Sequence, residues 1–123
     1  MPPRRKDPAA GEAALAAWRR DPHDVDRPTL ATAVRHTLDL MAQRAPGNSV
    51  EVRVPPFAAV QCVPGPRHTR GTPASVVETD AGTWLALATG ALTWGEAVES
   101  GRVRASGERS DLSPWLPVGT VGP

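Results

Sequence analysis

The stretch "TGALTWGEAVESGRVRASG", residues 89–107, decides the fold, because it combines two glycine-ended turns with a short strand. Thr93 and Glu96 have the T-x-x-E spacing of a capping box, which predicts a helix that begins at Trp94 and ends at Gly101. Residues 102–106 then alternate in polarity, as a strand does. A helix of under about 12 residues is marginal alone, so this stretch must lie on an apolar surface.

The residues before this stretch predict two longer helices. Residues 9–20 are rich in alanine and helical by propensity. The stretch "DPHDVDRP" (21–28), with two prolines and three aspartates, follows them and predicts a linker over 21–27. Residues 28–45 form the clearest helix, with Pro28 in its first turn. Its apolar stripe recurs every three or four residues and comprises Leu30, Val34, Leu38 and Met41.

Alternating polarity predicts strands at 50–54, 57–63 and 75–79, in addition to 102–106. The strand at 57–63 is apolar on both sides, so we expect it inside the sheet. Asp80 can cap a helix over 81–90, and residues 110–117 form a final short helix or turn. The fold class is therefore α/β (α+β): a largely antiparallel sheet of four to five strands with helices packed on one face.

Bulk properties limit the class of protein. With 123 residues, the chain is one domain, expected over 9–117 between loose tails at 1–8 and 118–123. The formal charge of +1 argues against a nucleic-acid surface. No run approaches the roughly 18 apolar residues of a membrane helix, so stable membrane insertion is not expected. The single cysteine, Cys62, excludes an internal disulfide and fits a cytoplasmic location.

The second half of the chain resembles the closing half of the sterol carrier protein family. The resemblance is carried by Asp80, Trp84, Leu85, Gly90, "EAV" (96–98), "SGRVRASGE" (100–108) and Leu112. "VPPFAAVQCVPGPRHTRGTPASVVETD" (54–80) looks still closer to a short actinobacterial branch, the bacterial sterol-carrier orthologue domain. The resemblance covers roughly residues 28–117. It implies a mixed sheet, helices on one face, an apolar tunnel between them, and binding of lipids or acyl groups without conversion. The helix at 9–20 lies outside this pattern, where it could cover the sheet edge or a dimer partner.

Large apolar residues in the second half are the candidate binding site for an apolar ligand. They are Trp84, Leu87, Leu92, Trp94, Val98, Leu112, Trp115 and Leu116. We expect Leu92, Trp94 and Val98 to face the sheet together with Trp84 and Trp115. The alternative is that these side chains simply fill the core, because a small domain needs every large side chain for packing.

The loop "PRHTRGTP", residues 66–73, is the most polar constellation of the sequence. Its arginines offer fork-shaped donors and its threonines offer hydroxyls to a carboxylate or phosphate head group. The candidate residues are Arg67, His68, Thr69, Arg70 and Thr72. The alternative is a solvated hairpin loop whose arginines pair with nearby carboxylates.

No catalytic or metal-binding pattern stands out. Cys62 and His68 lie six residues apart with no orienting partner, and buried cysteines are common in cores. The three histidines lack metal-ligand spacing, and no cofactor is expected. Two functions remain: a non-catalytic carrier of an apolar ligand, or an interaction module that closes on a partner or forms a homodimer. An enclosed apolar space would favour the carrier, and a filled core with a flat exposed patch would favour the interaction module.

Overall fold

The computed structural model describes residues 7–65 and 75–118. Within them lie four helices, four strands and one turn of 3-10 helix. In chain order they are α1 (Pro8–Arg20), α2 (Arg27–Arg44), β1 (Val50–Val54), β2 (Ala58–Cys62), β3 (Ser75–Thr79), α3 (Ala81–Thr89), α4 (Trp94–Glu99), β4 (Val103–Ser106) and the 3-10 turn Ser113–Trp115.

The ends of the short helices are set by local side-chain chemistry, as the sequence predicts. The Asp80 carboxylate accepts a 2.7 Å hydrogen bond from the Thr83 backbone N–H and caps α3. Gly90 ends α3 in the left-handed conformation at φ 84°. Thr93 and Glu96 form both halves of the capping box of α4. Gly107, after β4, has φ 97°, a conformation that favours glycine.

The sheet has the order β2-β1-β3-β4. The outer pairs, β1 with β2 and β3 with β4, are antiparallel, and the central pair β1 and β3 is parallel. The predicted fold class is confirmed, but the prediction that residues 57–63 lie inside the sheet is wrong, since β2 is the edge strand of the described sheet. The parallel pair of β1 and β3 needs a long connection, and residues 55–74, which include β2, are long enough to supply it.

Helices cover one face of the sheet. Val50, Val52, Val54 and Val77 are fully buried on that inner face. They share one core with residues of α2 and α3, among them Val34, Leu38, Met41, Trp84 and Leu85. The other face carries Glu51, Arg53, Glu78 and Arg104, which are half-buried or exposed. The alternating charges therefore mark the solvent side of the sheet.

The helix α1 packs against α2. Its Leu15 and Trp18 are buried in the core, and its Glu12 carboxylate lies 2.5 Å from Nε2 of His36 on α2. Gly11 lies so close to the His36 ring that a Cβ there would overlap it. At the other end of the described chain, Val118 is buried and its backbone N–H donates to the Ala88 carbonyl at 3.0 Å. The packed part of the described chain therefore reaches Val118.

Candidate functional site

Trp84 lies at the centre of the predicted apolar site and is completely buried. Its indole Nε1–H donates a 2.8 Å hydrogen bond to the Thr37 hydroxyl of α2, and that hydroxyl donates to the Ala33 carbonyl at 2.8 Å. Both polar groups are thereby satisfied inside the core. Leu87 and Leu112 are buried as well. These three predicted site residues fill the layer between helices and sheet.

Four other predicted site residues are only partly buried and pack against this core. They are Leu92, Trp94, Trp115 and Leu116, which we call the tryptophan wall. Two backbone hydrogen bonds explain how distant segments contribute to it. The Leu92 N–H donates to the Ala86 carbonyl at 3.1 Å, and the Val118 N–H donates to that of Ala88 at 3.0 Å. The turn after α3 and the C-terminal segment therefore both lie against the last turns of α3.

Val98 departs from the prediction. It is 46% exposed, so the expectation that it faces the sheet is wrong. The helix α4 has six residues and buries only Ala97, whose carbonyl accepts a 3.0 Å hydrogen bond from the Arg102 N–H. Val98 is one position further round the helix than the buried Ala97, so its side chain lies about 100° away from the buried side.

The predicted head-group residues Arg67, His68, Thr69, Arg70 and Thr72 lie outside the described residues, so their role stays a prediction. Cys62 is buried, and burial raises the pKa of its thiol to about 11. The thiol is therefore neutral near pH 7 and a poor nucleophile. Across residues 7–65 and 75–118, no group of three His, Cys, Asp or Glu side chains could hold a metal ion.

Sequence reasoning missed a groove of about 830 Å³ between α1 and α2, which we call the interhelical groove. It is lined by Asp7, Pro8, Ala10, Gly11, Thr32, Arg35, His36, Asp39, Leu40, Ala42 and Gln43. The available signal was the polar stripe Arg35, Asp39 and Gln43, spaced four residues apart on α2. Such a stripe is typical of a solvent-facing side, and nothing in its spacing indicates that a second helix flanks it.

A family model described as bacterial SCP ortholog, where SCP stands for sterol carrier protein, matches residues 26–118. The chain belongs to this family of bacterial sterol carrier protein orthologs. The matched residues include the whole sheet and the tryptophan wall, whereas α1 precedes them. No curated protein matches the chain. Within the described part of this family member, no helix is long and apolar enough to cross a membrane.

Proposed function

We propose that this sterol-carrier-like domain binds a lipid-like apolar molecule on the tryptophan wall and carries it without converting it. One observation carries the proposal: these four large apolar side chains are only partly buried and pack against the core, and their two segments both bond to the last turns of α3. Family membership supports the same function, since it suggests a carrier of lipids or other apolar molecules.

The physical reason is the free energy of apolar contact. Partly exposed tryptophan and leucine side chains gain about 25 cal/mol for each Å² that a ligand removes from water. Rigid indole rings offer this area at low cost in side-chain entropy. Because Trp84 and Thr37 already satisfy each other, a ligand on the outside of this layer disrupts no buried hydrogen bond.

We also propose where the polar end of the ligand binds. A carboxylate or phosphate head group would meet Arg67 and Arg70 of the predicted head-group loop, which follows β2 in the chain. Charge-assisted hydrogen bonds from guanidinium groups are stronger than those between neutral groups. Arg70→Ala is therefore expected to weaken binding of a fatty acid and to leave the fold intact.

Titration with long-chain fatty acids and acyl conjugates, followed by tryptophan fluorescence and calorimetry, tests the wall. Binding should change the fluorescence and show a negative heat-capacity change. Leu92→Ala on the wall should weaken binding about tenfold, since a buried leucine contributes about 1.5–3 kcal/mol. The matched control is Leu30→Ala on α2, which also removes a partly buried core-packed leucine but lies off the wall. Equal affinity in the two variants would contradict the wall as the site.

An interaction module is the second candidate function, and the exposure of Val98 favours it. A partner chain that covers α4 would bury this side chain together with the tryptophan wall. Val98→Lys would then dissociate a complex or dimer, whereas the carrier function predicts a monomer before and after the change. Sedimentation velocity distinguishes the two results.

A further inference from the structure

The tryptophan wall is built from two separate segments of the chain. Leu92 and Trp94 come from the turn after α3 and from the start of α4. Trp115 and Leu116 come from residues 110–118, which we call the strap. How firmly each segment is attached to the rest of the molecule decides which half of the wall can move when a ligand binds.

The first segment is held at both ends by hydrogen bonds. At its start, the Leu92 N–H donates to the Ala86 carbonyl of α3 at 3.1 Å. After α4, the Arg102 N–H donates to the Ala97 carbonyl at 3.0 Å. The Arg102 carbonyl in turn accepts a 2.8 Å hydrogen bond from the Thr79 hydroxyl of β3. This half of the wall is therefore tied to α3 on one side and to the sheet on the other.

The strap is attached by far fewer polar contacts. Just before it, the Arg109 N–H donates to the buried Ser75 hydroxyl at the start of β3, at 2.9 Å. Among the described residues, one hydrogen bond of the strap reaches another element, from the Val118 N–H to the Ala88 carbonyl of α3 at 3.0 Å. The other hydrogen bonds of the strap join residues no more than three positions apart in the chain.

Apolar side chains supply the rest of the attachment. Leu112 is completely buried and Val118 is 8% exposed, so these two side chains fix the strap to the core. Between them, Ser113, Pro114 and Pro117 are exposed. Opening the strap therefore breaks one hydrogen bond and takes two buried side chains out of the core. An apolar ligand can replace the contacts that these side chains lose, because apolar contact is not directional.

We propose that the strap is the gate of the tryptophan wall: it turns about Ser110 and Asp111, moves away from α3 and admits the apolar chain of the ligand into the space that Leu112 fills in this structure. This inference rests on the proposed carrier function and extends the ligand site from the outer surface of the wall to the layer beneath it. Leu112 competes with the ligand for that space. Because few contacts join the strap to the rest of the molecule, its opening needs less free energy than global unfolding.

Hydrogen exchange measured by NMR tests the opening without a ligand. The Val118 amide should exchange at least about 100-fold faster than the Leu38 amide of α2, and its exchange should depend little on urea, since opening exposes little surface. The matched control is the Leu92 amide, which also bonds to α3 but belongs to the segment that is held at both ends. Equal protection of the Val118 and Leu92 amides would overturn the gate.

A truncation of Leu112 tests the competition. Leu112→Ala should increase the open fraction and bind palmitate about tenfold more tightly, because the apparent affinity rises with the population of the binding-competent state. The matched control is Leu15→Ala, which removes the same atoms from a buried leucine of α1 and should leave the affinity unchanged. Circular dichroism checks folding, and Leu112→Val supplies a milder truncation with a smaller expected gain. Unchanged or weaker binding in both Leu112 variants contradicts the gate.

Fluorine NMR of protein that contains 5-fluorotryptophan locates the bound palmitate. The gate predicts that the buried Trp84 resonance shifts together with those of Trp94 and Trp115, whereas the Trp18 resonance of α1 stays in place. A shift of Trp94 and Trp115 with an unchanged Trp84 would overturn the gate and leave the carrier function standing. No binding of palmitate to the wild type or to Leu112→Ala would overturn both.

Discussion

At the scale of single residues, the bond between Trp84 and Thr37 ties α3 to α2 inside the core. The indole N–H and the hydroxyl meet at 2.8 Å, and both residues are completely buried. A buried donor without a partner costs free energy, so this pair specifies how the two helices sit over the sheet. It also keeps the layer beneath the tryptophan wall closed.

Thr37→Val should therefore lower the free energy of unfolding by about 1–3 kcal/mol, since the Trp84 N–H loses its acceptor while the side-chain shape is kept. Urea unfolding followed by tryptophan fluorescence measures the change. The control is Thr32→Val on the same helix, where the hydroxyl bonds only to the Pro28 carbonyl, at 3.0 Å. An equal loss in both variants would show that the indole bond contributes nothing of its own.

Cys62 gives a second prediction at this scale. Burial raises its pKa to about 11, so the folded protein holds a neutral, inaccessible thiol at pH 8. Reaction with a thiol-specific disulfide reagent should be at least about 100-fold slower in the folded protein than in urea. Comparable rates in the two states would mean that the edge strand β2 opens readily.

At the scale of elements, glycines inside helices have opposite roles in α1 and α4. A Cβ at Gly11 would overlap the His36 ring, whereas a Cβ at Gly95 would meet no atom within 4 Å. The close approach at Gly11 allows the Glu12 carboxylate to reach His36. The packing of α1 on α2 therefore requires glycine at position 11, whereas the packing of α4 does not require glycine at position 95.

Gly11→Ala should destabilise the docked α1 although alanine is the better helix former. Gly95→Ala should be neutral or stabilise the protein by up to about 1 kcal/mol. Hydrogen exchange over residues 8–20, measured by mass spectrometry, should rise in Gly11→Ala and stay unchanged in Gly95→Ala. Unchanged protection of α1 in both variants would contradict the close packing of the two helices.

The capping box of α4 makes this helix sensitive to acid. Hydrogen bonds from Thr93, first from its backbone N–H and then from its hydroxyl, lower the pKa of Glu96 below its ordinary value. Because the folded state favours the ionised form, the stabilisation is present above the ordinary value and is lost as the pH falls through the lowered one.

Helical chemical shifts of residues 94–99 should therefore decline as the pH falls below the ordinary pKa of a glutamate. Glu96→Gln should flatten this dependence, and Glu99→Gln, a change outside the capping box, should preserve it. The same dependence in both variants would assign the acid sensitivity of α4 to another group.

At the scale of the whole molecule, the sequence predicts features that arise within a few residues of chain and misses those that depend on packing between elements. The caps at Asp80, Gly90 and Thr93 were predictable because each acts within a few residues of itself. The parallel pairing of β1 with β3 was not predictable, because alternating polarity shows which face of a strand is buried but not which strand it pairs with. The exposure of Val98 was missed because the side that a six-residue helix buries depends on what it packs against.

The candidate site was likewise predictable only in part. Its large apolar residues could be named from the sequence, but their spacing alone could not separate the buried Trp84 from the partly exposed Trp94 of the tryptophan wall. The interhelical groove was missed, because the polar stripe that includes Arg35 has the pattern of a solvent-facing side. Only the packing of α1 on α2 makes that stripe one side of a groove.

Native mass spectrometry of the freshly purified protein tests the carrier function most directly, because it measures bound ligand and subunit number in one spectrum. We predict a single chain that carries the additional mass of a lipid-like molecule, released chemically unchanged on denaturation. The bound fraction should fall in Leu92→Ala and stay the same in Leu30→Ala. A bare chain that binds no fatty acid or acyl conjugate on titration, or a ligand-free dimer that Val98→Lys dissociates, would contradict the account.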